Sequence, residues 1–136
     1  MQYAEKEILS LVGAPFVDGG RGPESFDCWG LVREVYRRCG IDLPEYAGIG
    51  CYDVMNVTAE MERNRPFWEE CQPPDLPVPS VIALRVSAPM VNHVGRYIGD
   101  GKFLHTREKA GAVIEKIDSP IWRHRIEGFY RPCAQT

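Results

Sequence analysis

The residue of this chain best suited to act as a nucleophile is Cys28, at the start of an amphipathic segment. Between residues 28 and 39 the apolar side chains recur at the spacing of one helical face, and charged side chains fill the other face. The spacing predicts a helix that begins at Cys28 and ends at Gly40. The first turn of a helix carries free backbone N–H groups and the positive end of the helix dipole, which favour a thiolate. We therefore expect a lower pKa at Cys28 than at the other four cysteines.

An inert cysteine is the alternative interpretation of Cys28, because most buried cysteines behave as small apolar side chains. The residues before the helix favour chemistry instead. Residues 13–25 contain four glycines and two prolines, a composition that is typical of a tightly bent loop. Such a loop would leave the start of the helix open to a ligand.

A nucleophilic cysteine needs a base, usually histidine, and the base need only be close in space. The chain has three histidines: His93, His105 and His124. His93 begins a predicted strand beside Asn92, two residues before Gly95. The missing side chain at Gly95 would let a substrate or the cysteine helix approach this strand.

The elements that position these residues are predicted to be helices in the first half of the chain. Residues 2–12 indicate a helix that packs under the core. Its buried face is formed by Ala4, Ile8, Leu11 and Val12. Residues 52–65 indicate a further helix, which should end before Pro66. The segment 71–79 is rich in proline and is predicted to be a surface connection.

Strands are predicted in the second half. Their ranges are 80–86, 93–98, 102–106, 112–117 and 126–131, with a hairpin turn at Gly99-Asp100-Gly101. Helices followed by antiparallel strands predict an α+β domain that spans residues 1–136 as a single unit. The helix that begins at Cys28 should pack on the C-terminal antiparallel sheet or small barrel.

Composition argues against several classes of protein. A chain of 136 residues with 44% hydrophobic and 26% charged residues suits one globular domain. A net charge of −3 without a basic stripe argues against nucleic-acid binding. No segment approaches the roughly 20 apolar residues of a membrane span, and the chain does not start like a signal peptide. We therefore expect synthesis and retention in the cytoplasm unless a carrier exports the protein.

The cysteines of the chain do not predict a disulfide framework or a zinc site, because they are five in number and form no C-x-x-C pair. We expect the cysteines other than Cys28 to be reduced and structural. No metal site and no cofactor are predicted.

Three motifs together resemble the NlpC family of papain-like cell-wall cysteine peptidases. They are Gly-Ala-Pro-Phe-x-x-Gly-Gly at 13–20, Phe-Asp-Cys-Trp-Gly-Leu-Val at 26–32, and the stretch 93–105 between two histidines. The resemblance covers about residues 2–131. It implies a papain-like fold and hydrolysis of peptide bonds in peptidoglycan stem peptides, commonly the bond between D-glutamate and diaminopimelate. The Cys-Trp pair and the Gly-Ile-x-Leu-Pro motif at 40–44 are similar to members encoded by tailed phages.

The resemblance also implies roles for individual residues. Cys28 would be the nucleophile, His93 the base, and His105 the third polar residue, which orients the His93 ring. The backbone N–H of Cys28 would donate to the oxyanion. Asp27 would contact a substrate amino group, or it would only complement the N-terminus of the helix.

The chain departs from the family's pattern near the nucleophile. Phe16 stands where many members carry tyrosine, so a hydroxyl often placed near the cysteine is absent. Trp29 stands where serine commonly follows the cysteine, and it either forms a wall of the substrate site or packs in the core or an interface. Residues 79–80, Pro-Ser, replace the Gly-Asp pair that commonly opens the first strand. With Asn92 and Asp27, these two aromatic residues are our candidates for substrate contact.

Delivery to the cell wall needs a carrier if the enzyme has no signal peptide and no wall-binding domain. A phage tail tip would serve, so we expect tail-tip proteins and peptidoglycan stem peptides as partners, and the virion tail as a location. Two alternatives remain open. One is a cytosolic peptidase that trims recycled wall peptides, and the other is an inactive subunit of tail assembly.

A contact between His93 and His105 requires an irregular hairpin. A two-residue turn at Asp100-Gly101 would by itself place the two histidines on opposite faces of the strands. Either a wider loop centred on Gly99 or a one-residue bulge at Gly95 or Gly99 would bring them together. We therefore predict an irregular hairpin.

Overall fold

The computed structural model describes residues 8–45, 54–86 and 91–133. In these ranges it contains helix α1 (Cys28–Arg38) and helix α2 (Val54–Asn64), which a 3-10 helix (Arg65–Phe67) follows directly. The strands are β1 (Trp68–Cys71), β2 (Ser80–Leu84), β3 (His93–Gly99), β4 (Lys102–Arg107), β5 (Gly111–Lys116) and β6 (Ile126–Pro132). They form one antiparallel sheet in the order β1-β6-β2-β3-β4-β5. The predicted α+β class is confirmed, and neither described helix is long and apolar enough to cross a membrane.

Helix α1 packs across one face of the sheet with the apolar stripe that the sequence predicted. Its buried apolar side chains are Leu31, Val32, Val35 and Tyr36. They belong to two clusters, one with Leu104 of β4 and the other with Val94 of β3. Burial of each large aliphatic side chain contributes about 1.5–3 kcal/mol. This packing fixes the start of α1 relative to the strands that carry the histidines.

The opposite face of the sheet is covered by the segment between β5 and β6. Trp122 of this segment is fully buried and packs in a cluster with Ile82 and Leu84 of β2 and Phe103 of β4. The guanidinium of Arg107 lies 5.3 Å from the centroid of the Trp122 ring. Trp122 therefore covers the face of β3 and β4 that does not pack against α1.

The hairpin of β3 and β4 has the irregularity that the sequence predicted. Asp100 and Gly101 both have positive φ angles, as a type I′ turn requires. The register shifts by one residue between Tyr97 and Gly99, which is a bulge in β3. Gly99 adopts a φ of +96°, a conformation that glycine reaches without a steric penalty. The predicted bulge at Gly99 is confirmed, and it places both strand histidines on one face.

The missing side chain of Gly95 serves the pairing of β3 with β4. Arg96 pairs with Leu104, so Gly95 lies opposite His105. A Cβ atom at Gly95 would stand 3.0 Å from Cδ2 of Phe103 and 3.2 Å from Cβ of His105. We expected a substrate or the cysteine helix to use this space, and that expectation is wrong because the neighbouring strand fills it.

Further expectations about the fold are corrected. The short edge strand β1, which pairs with β6, was not predicted, so Cys71 belongs to a strand and only residues 72–79 form the surface connection. Val12 was expected on a buried helical face, but it is 42% exposed because the described helical turn ends at Leu9. The part of the predicted first helix before Ile8 lies outside the described residues.

All described cysteines are free thiols, and Cys51 lies outside the described residues.

Substitution of Gly95 by alanine tests the close approach of β3 and β4. The added methyl group would press on Phe103 and His105, so we expect Gly95→Ala to lower the free energy of unfolding by about 1–3 kcal/mol. Urea denaturation measures the change. Lys102→Ala, at an exposed position of the same hairpin, is the control and should change stability by no more than about 0.5 kcal/mol. An alanine variant as stable as the parent would contradict this strand spacing.

Candidate active site

The start of α1 is held by an ion pair. Asp27 is the N-cap residue, and its Oδ1 accepts a hydrogen bond of 2.7 Å from the backbone N–H of Gly30. Arg21, in the bent loop, donates to the same oxygen at 2.7 Å. The Asp27 residue is only 3% exposed. The helix-capping role of Asp27 is therefore confirmed, whereas its contact with a substrate amino group stays a prediction.

The bent loop runs back along the residues that precede the nucleophile. Phe16 forms a β-bridge with Phe26, two residues before Cys28. The backbone N–H of Val17 donates to the carbonyl of Phe26 at 3.2 Å, and that of Phe26 donates to the carbonyl of Pro15 at 3.1 Å. The loop thus brings Phe16, which is half-buried, to the approach of α1.

Cys28 is the first residue of α1 and meets β3 where that strand begins. The backbone N–H groups of Val94 and Trp29 donate to its sulfur. Val94 directly follows His93 in the chain. The packing of α1 on the sheet therefore brings the predicted nucleophile against the residue that follows the predicted base in the chain.

The two strand histidines are hydrogen-bonded to each other. Nε2 of His93 lies 2.9 Å from Nδ1 of His105, and both residues are buried. Trp122 stacks on His93 with 6.4 Å between ring centroids and meets the His105 ring edge-on at 4.8 Å. The indole thus excludes water from the pair. His124 is exposed and its Nε2 accepts a hydrogen bond from Arg123, so the structure brings His105 and not His124 to His93.

A carboxylate that sequence reasoning missed continues this line of hydrogen bonds. Oε2 of Glu115 contacts Nε2 of His105. The register explains the contact, because Glu115 pairs with Phe103 while Val113 pairs with His105, which puts Glu115 and His105 on one face as diagonal neighbours. Only the pairing of β4 with β5 could have signalled this glutamate in advance.

The pKa of Cys28 does not follow the sequence prediction. Burial raises the pKa of the thiol to about 11, and the negative charge of Asp27 acts in the same direction. The N–H groups of Val94 and Trp29 and the positive charge of Arg21 oppose this change without cancelling it. Our expectation of a lowered pKa is therefore wrong for the free protein, because the loss of water around the sulfur outweighs the helix start.

The histidines also favour their uncharged forms. Burial lowers the pKa of His93 to about 3, and positive charge on His105 and Arg107 acts in the same direction. Burial lowers the pKa of His105 too, although the Glu115 carboxylate opposes the change. At neutral pH the free protein therefore favours a thiol at Cys28 and a neutral imidazole at His93. Such a pair can still react if the base removes the proton as the sulfur attacks.

The remaining candidates for substrate contact take part in the structure itself. The side-chain oxygen of Asn92 accepts a hydrogen bond of 2.9 Å from the N–H of Val86, which ties the start of β3 to the end of β2. The indole N–H of Trp29 donates to the carbonyl of Pro44 at 2.8 Å. Its ring meets Trp68 edge-on, with 6.2 Å between centroids. Contacts of Asn92, Trp29 and Phe16 with a substrate stay predictions.

A cavity of about 100 Å³ lies beside Trp29 and Val94, the residues that follow Cys28 and His93 in the chain. Its lining consists of Trp29, Met61, Trp68, Val81, Ala83 and Val94 on the apolar side and Glu60, Asn64, Arg65, Glu127 and Tyr130 on the polar side. Ligand sites for whole small molecules are several times larger. This cavity is of a size to hold one side chain of a longer substrate.

A helix that begins at a cysteine and packs on an antiparallel sheet that carries the histidines is the arrangement of the papain-like fold. The model of the NlpC/P60 family matches residues 13–131. The chain therefore belongs to the NlpC/P60 family.

Known proteins agree with this assignment. The chain is 28% identical over 127 residues to the bifunctional muramidase/DL-endopeptidase CwlT of Bacillus subtilis, and the match covers 93% of this chain and 35% of CwlT. The chain thus spans about a third of that relative. The structure of NlpC1 from Trichomonas vaginalis superposes with a TM-score of 0.70 at 20% identity, over 94% of this chain and 42% of NlpC1. RipD from Mycobacterium tuberculosis, described as a non-catalytic NlpC/p60 domain protein adapted to peptidoglycan binding, superposes with a TM-score of 0.60 at 16% identity, over 95% and 93% of the two chains.

The raised pKa of Cys28 predicts slow alkylation in the free protein. Only the thiolate reacts, so iodoacetamide should modify Cys28 more slowly than the exposed Cys133 at pH 7. The rate at Cys28 should then rise about tenfold for each pH unit up to about pH 10. Mass spectrometry of the two cysteine peptides after short exposures gives both rates. Faster modification of Cys28 than of Cys133 at pH 6 would instead show a preformed thiolate–imidazolium pair.

Proposed function

We propose that this chain is a cysteine peptidase that hydrolyses peptide bonds in peptidoglycan stem peptides, at the bond between D-glutamate and diaminopimelate. The proposal is carried by one observation, the hydrogen bond between His93 and His105, in which His93 is the neighbour in the chain of the Val94 backbone that contacts Cys28. Membership of the NlpC/P60 family supports the reaction class, and the similarity to a relative named a DL-endopeptidase supports the choice of bond.

In the proposed reaction the sulfur of Cys28 attacks the carbonyl carbon of the scissile bond while His93 takes the thiol proton. Because Nε2 of His93 faces His105, Nδ1 is the nitrogen available for this transfer. The resulting imidazolium then gives its proton to the leaving amine as the carbon–nitrogen bond breaks. Water hydrolyses the thioester that remains, with His93 acting again as the base.

The first turn of α1 would stabilise the negative charge that develops on the carbonyl oxygen. The first N–H groups of a helix have no partner within the helix. Asp27 already occupies the N–H of Gly30, which leaves the backbone N–H of Cys28 as our candidate oxyanion donor. Donors held in a dry site lower the barrier strongly because they need no reorganisation as charge develops.

The substrate would lie across the start of α1 between the bent loop and the cavity beside Trp29. We place an apolar side chain or methyl group of the stem peptide in that cavity, against Trp29 and Val94. Phe16 and Asn92 would border the same path from the loop and from the start of β3. Asp27 would contact a substrate amino group only by sharing its carboxylate with Arg21.

Delivery by a phage tail tip is part of the proposal, with tail-tip proteins as partners and synthesis in the cytoplasm. The two features similar to phage-encoded members touch each other, since the Trp29 indole donates to the carbonyl of Pro44 at 2.8 Å. Arg33 of α1 also donates to the carbonyl of Leu43 at 3.1 Å. Mass spectrometry of purified phage particles from a strain that encodes the chain should find it in the tail, and its absence there would remove this part of the proposal.

A non-catalytic role is the second candidate function. The uncharged state of Cys28 in the free protein favours it, because a thiol is a poor nucleophile. The same fold occurs in RipD, which is described as non-catalytic. In this case the chain would bind wall peptides or serve as a subunit of tail assembly without cleaving a bond.

Incubation with purified muropeptides and with intact sacculi tests the proposed reaction. Mass spectrometry of the products should show cleavage at the D-glutamyl bond by the parent protein and none by Cys28→Ala or His93→Ala. His105→Ala should reduce kcat at least about a hundredfold, because a base in the wrong tautomer loses orders of magnitude in rate. His124→Ala, on the surface, is the matched control and should leave kcat unchanged.

Each other result of this experiment selects an alternative. Cleavage of soluble muropeptides without cleavage of sacculi would favour the recycling peptidase. Cleavage at an amide bond outside the stem would move the chain to a neighbouring reaction class. A folded parent protein that cleaves neither preparation would favour the non-catalytic role.

A further inference from the structure

We propose that Glu115 is a positioning residue that fixes the protons of the His105–His93 pair and thereby makes His93 a base toward Cys28. The catalytic part of this inference rests on the proposed function, whereas the proton arrangement does not. The observation that carries it is an unbroken line of ring and carboxylate contacts. It runs from Oε2 of Glu115 to Nε2 of His105, and from Nδ1 of His105 to Nε2 of His93.

The direction of each hydrogen bond follows from the carboxylate. An ionised carboxylate can only accept, so Nε2 of His105 carries a proton and donates it to Glu115. His105 is buried and uncharged, so its Nδ1 has a lone pair and accepts. The donor across the 2.9 Å contact is then Nε2 of His93. A neutral His93 protonated at Nε2 has its lone pair at Nδ1, which is the nitrogen that the proposed reaction needs.

The reverse arrangement would disable the base. If Nδ1 of His105 carried the proton, it would donate a hydrogen bond to Nε2 of His93. The single N–H of a neutral His93 would then lie at Nδ1. A nitrogen that already carries a proton cannot take one from Cys28. The reverse arrangement would also leave two acceptors, Nε2 of His105 and the Glu115 carboxylate, facing each other. The charge of Glu115 therefore selects one tautomer of each ring.

The surroundings of His105 offer no substitute for Glu115 among the described residues. The rings of Phe103 and Trp122 pack against His105 at 4.7 and 4.8 Å between centroids, and neither provides an acceptor for Nε2–H. The opposite residue is Gly95, which has no side chain. Arg107 is the charged group from the same strand that acts on both histidines, and it is a cation that cannot accept a hydrogen bond.

The position of Glu115 also suits the charge that appears during the reaction. When His93 takes the thiol proton it becomes a cation in a place where burial disfavours charge. The Glu115 carboxylate lies one imidazole ring away and stabilises that cation through His105. Its side chain is 30% exposed whereas that of His105 is fully buried, so the carboxylate keeps part of its hydration. A charge at the partly exposed edge of the site loses less hydration free energy than a charge at its buried centre.

The experiment compares Glu115→Ala and Glu115→Gln with the parent protein. Glu70→Ala and Glu70→Gln are the matched controls, because Glu70 is an exposed glutamate on β1, far from the histidines in the strand order. Nitrogen-15 NMR of histidine-labelled protein distinguishes protonated from unprotonated ring nitrogens. With only three histidines in the chain, removal of His124 by substitution assigns the remaining signals to the buried pair.

In the parent protein we expect both His93 and His105 to be protonated at Nε2 and unprotonated at Nδ1. Glu115→Ala should give a mixture of tautomers at His105 and His93. Glu115→Gln should keep the parent tautomer in part, because the amide oxygen accepts while the amide nitrogen competes as a donor. The Glu70 variants should match the parent. A proton on Nδ1 of His105 in the parent, or parent tautomers in Glu115→Ala, would overturn the inference.

Kinetics provide the second measurement. If the protein cleaves stem peptides, Glu115→Ala should lower kcat about 10–100-fold, the range seen when a metal-bound histidine loses its orienting partner, with KM changed much less. Glu115→Gln should recover part of this loss, and the Glu70 variants should show none. A fall in thermal stability with unchanged tautomers and unchanged kcat would show that Glu115 only holds β4 to β5. If no stem peptide is cleaved, the proposed reaction fails while the NMR result still decides the proton arrangement.

Discussion

The bulge beside Gly99 sets which residues of β3 share a face with which residues of β4. Side chains alternate along a strand, so a change of register by one residue reverses every such relation. With the bulge, His93 and His105 lie together against the Trp122 ring. Without the bulge, the His93 and His105 rings would lie on opposite faces of the sheet and could not contact each other. The site therefore depends on one extra residue in a hairpin, and the local backbone freedom of Gly99 makes that residue possible.

The packing that follows from this register also determines the electrostatics of the site. Trp122 and the sheet remove water from His93, and burial disfavours a thiolate at Cys28 although that residue keeps some exposed surface. Both residues therefore favour their neutral forms, so a thiol and a neutral imidazole are favoured over a thiolate–imidazolium pair. In the proposed reaction, charge appears on these residues only when a substrate is present. At that moment the N–H groups around the sulfur and the carboxylate of Glu115 are already in place, which is what preorganisation requires.

The parts of the structure that the sequence could predict are those with local signals. The period of α1 and the turn at Asp100-Gly101 follow from residue types and spacing within short segments. The need for a bulge followed from the His93–His105 contact that the family resemblance implies. Glu115 could not be found in this way, because its partner is set by the register between β4 and β5. The pKa of Cys28 was predicted in the wrong direction for a related reason. A helix start is visible in sequence, whereas the depth of burial that outweighs it belongs to tertiary packing.

The bent loop before α1 has an electrostatic role in addition to a geometric one. Capping α1 requires an acceptor at Asp27, but the charge of that acceptor lies next to the sulfur and raises the pKa of the thiol. Arg21 pairs with the carboxylate and also lowers the pKa of Cys28, so it offsets part of the rise in that pKa which Asp27 causes. The guanidinium reaches this position because the loop folds back on Phe26, one residue before the cap. The bent loop therefore also brings a compensating positive charge to the carboxylate that caps α1 beside the Cys28 thiol.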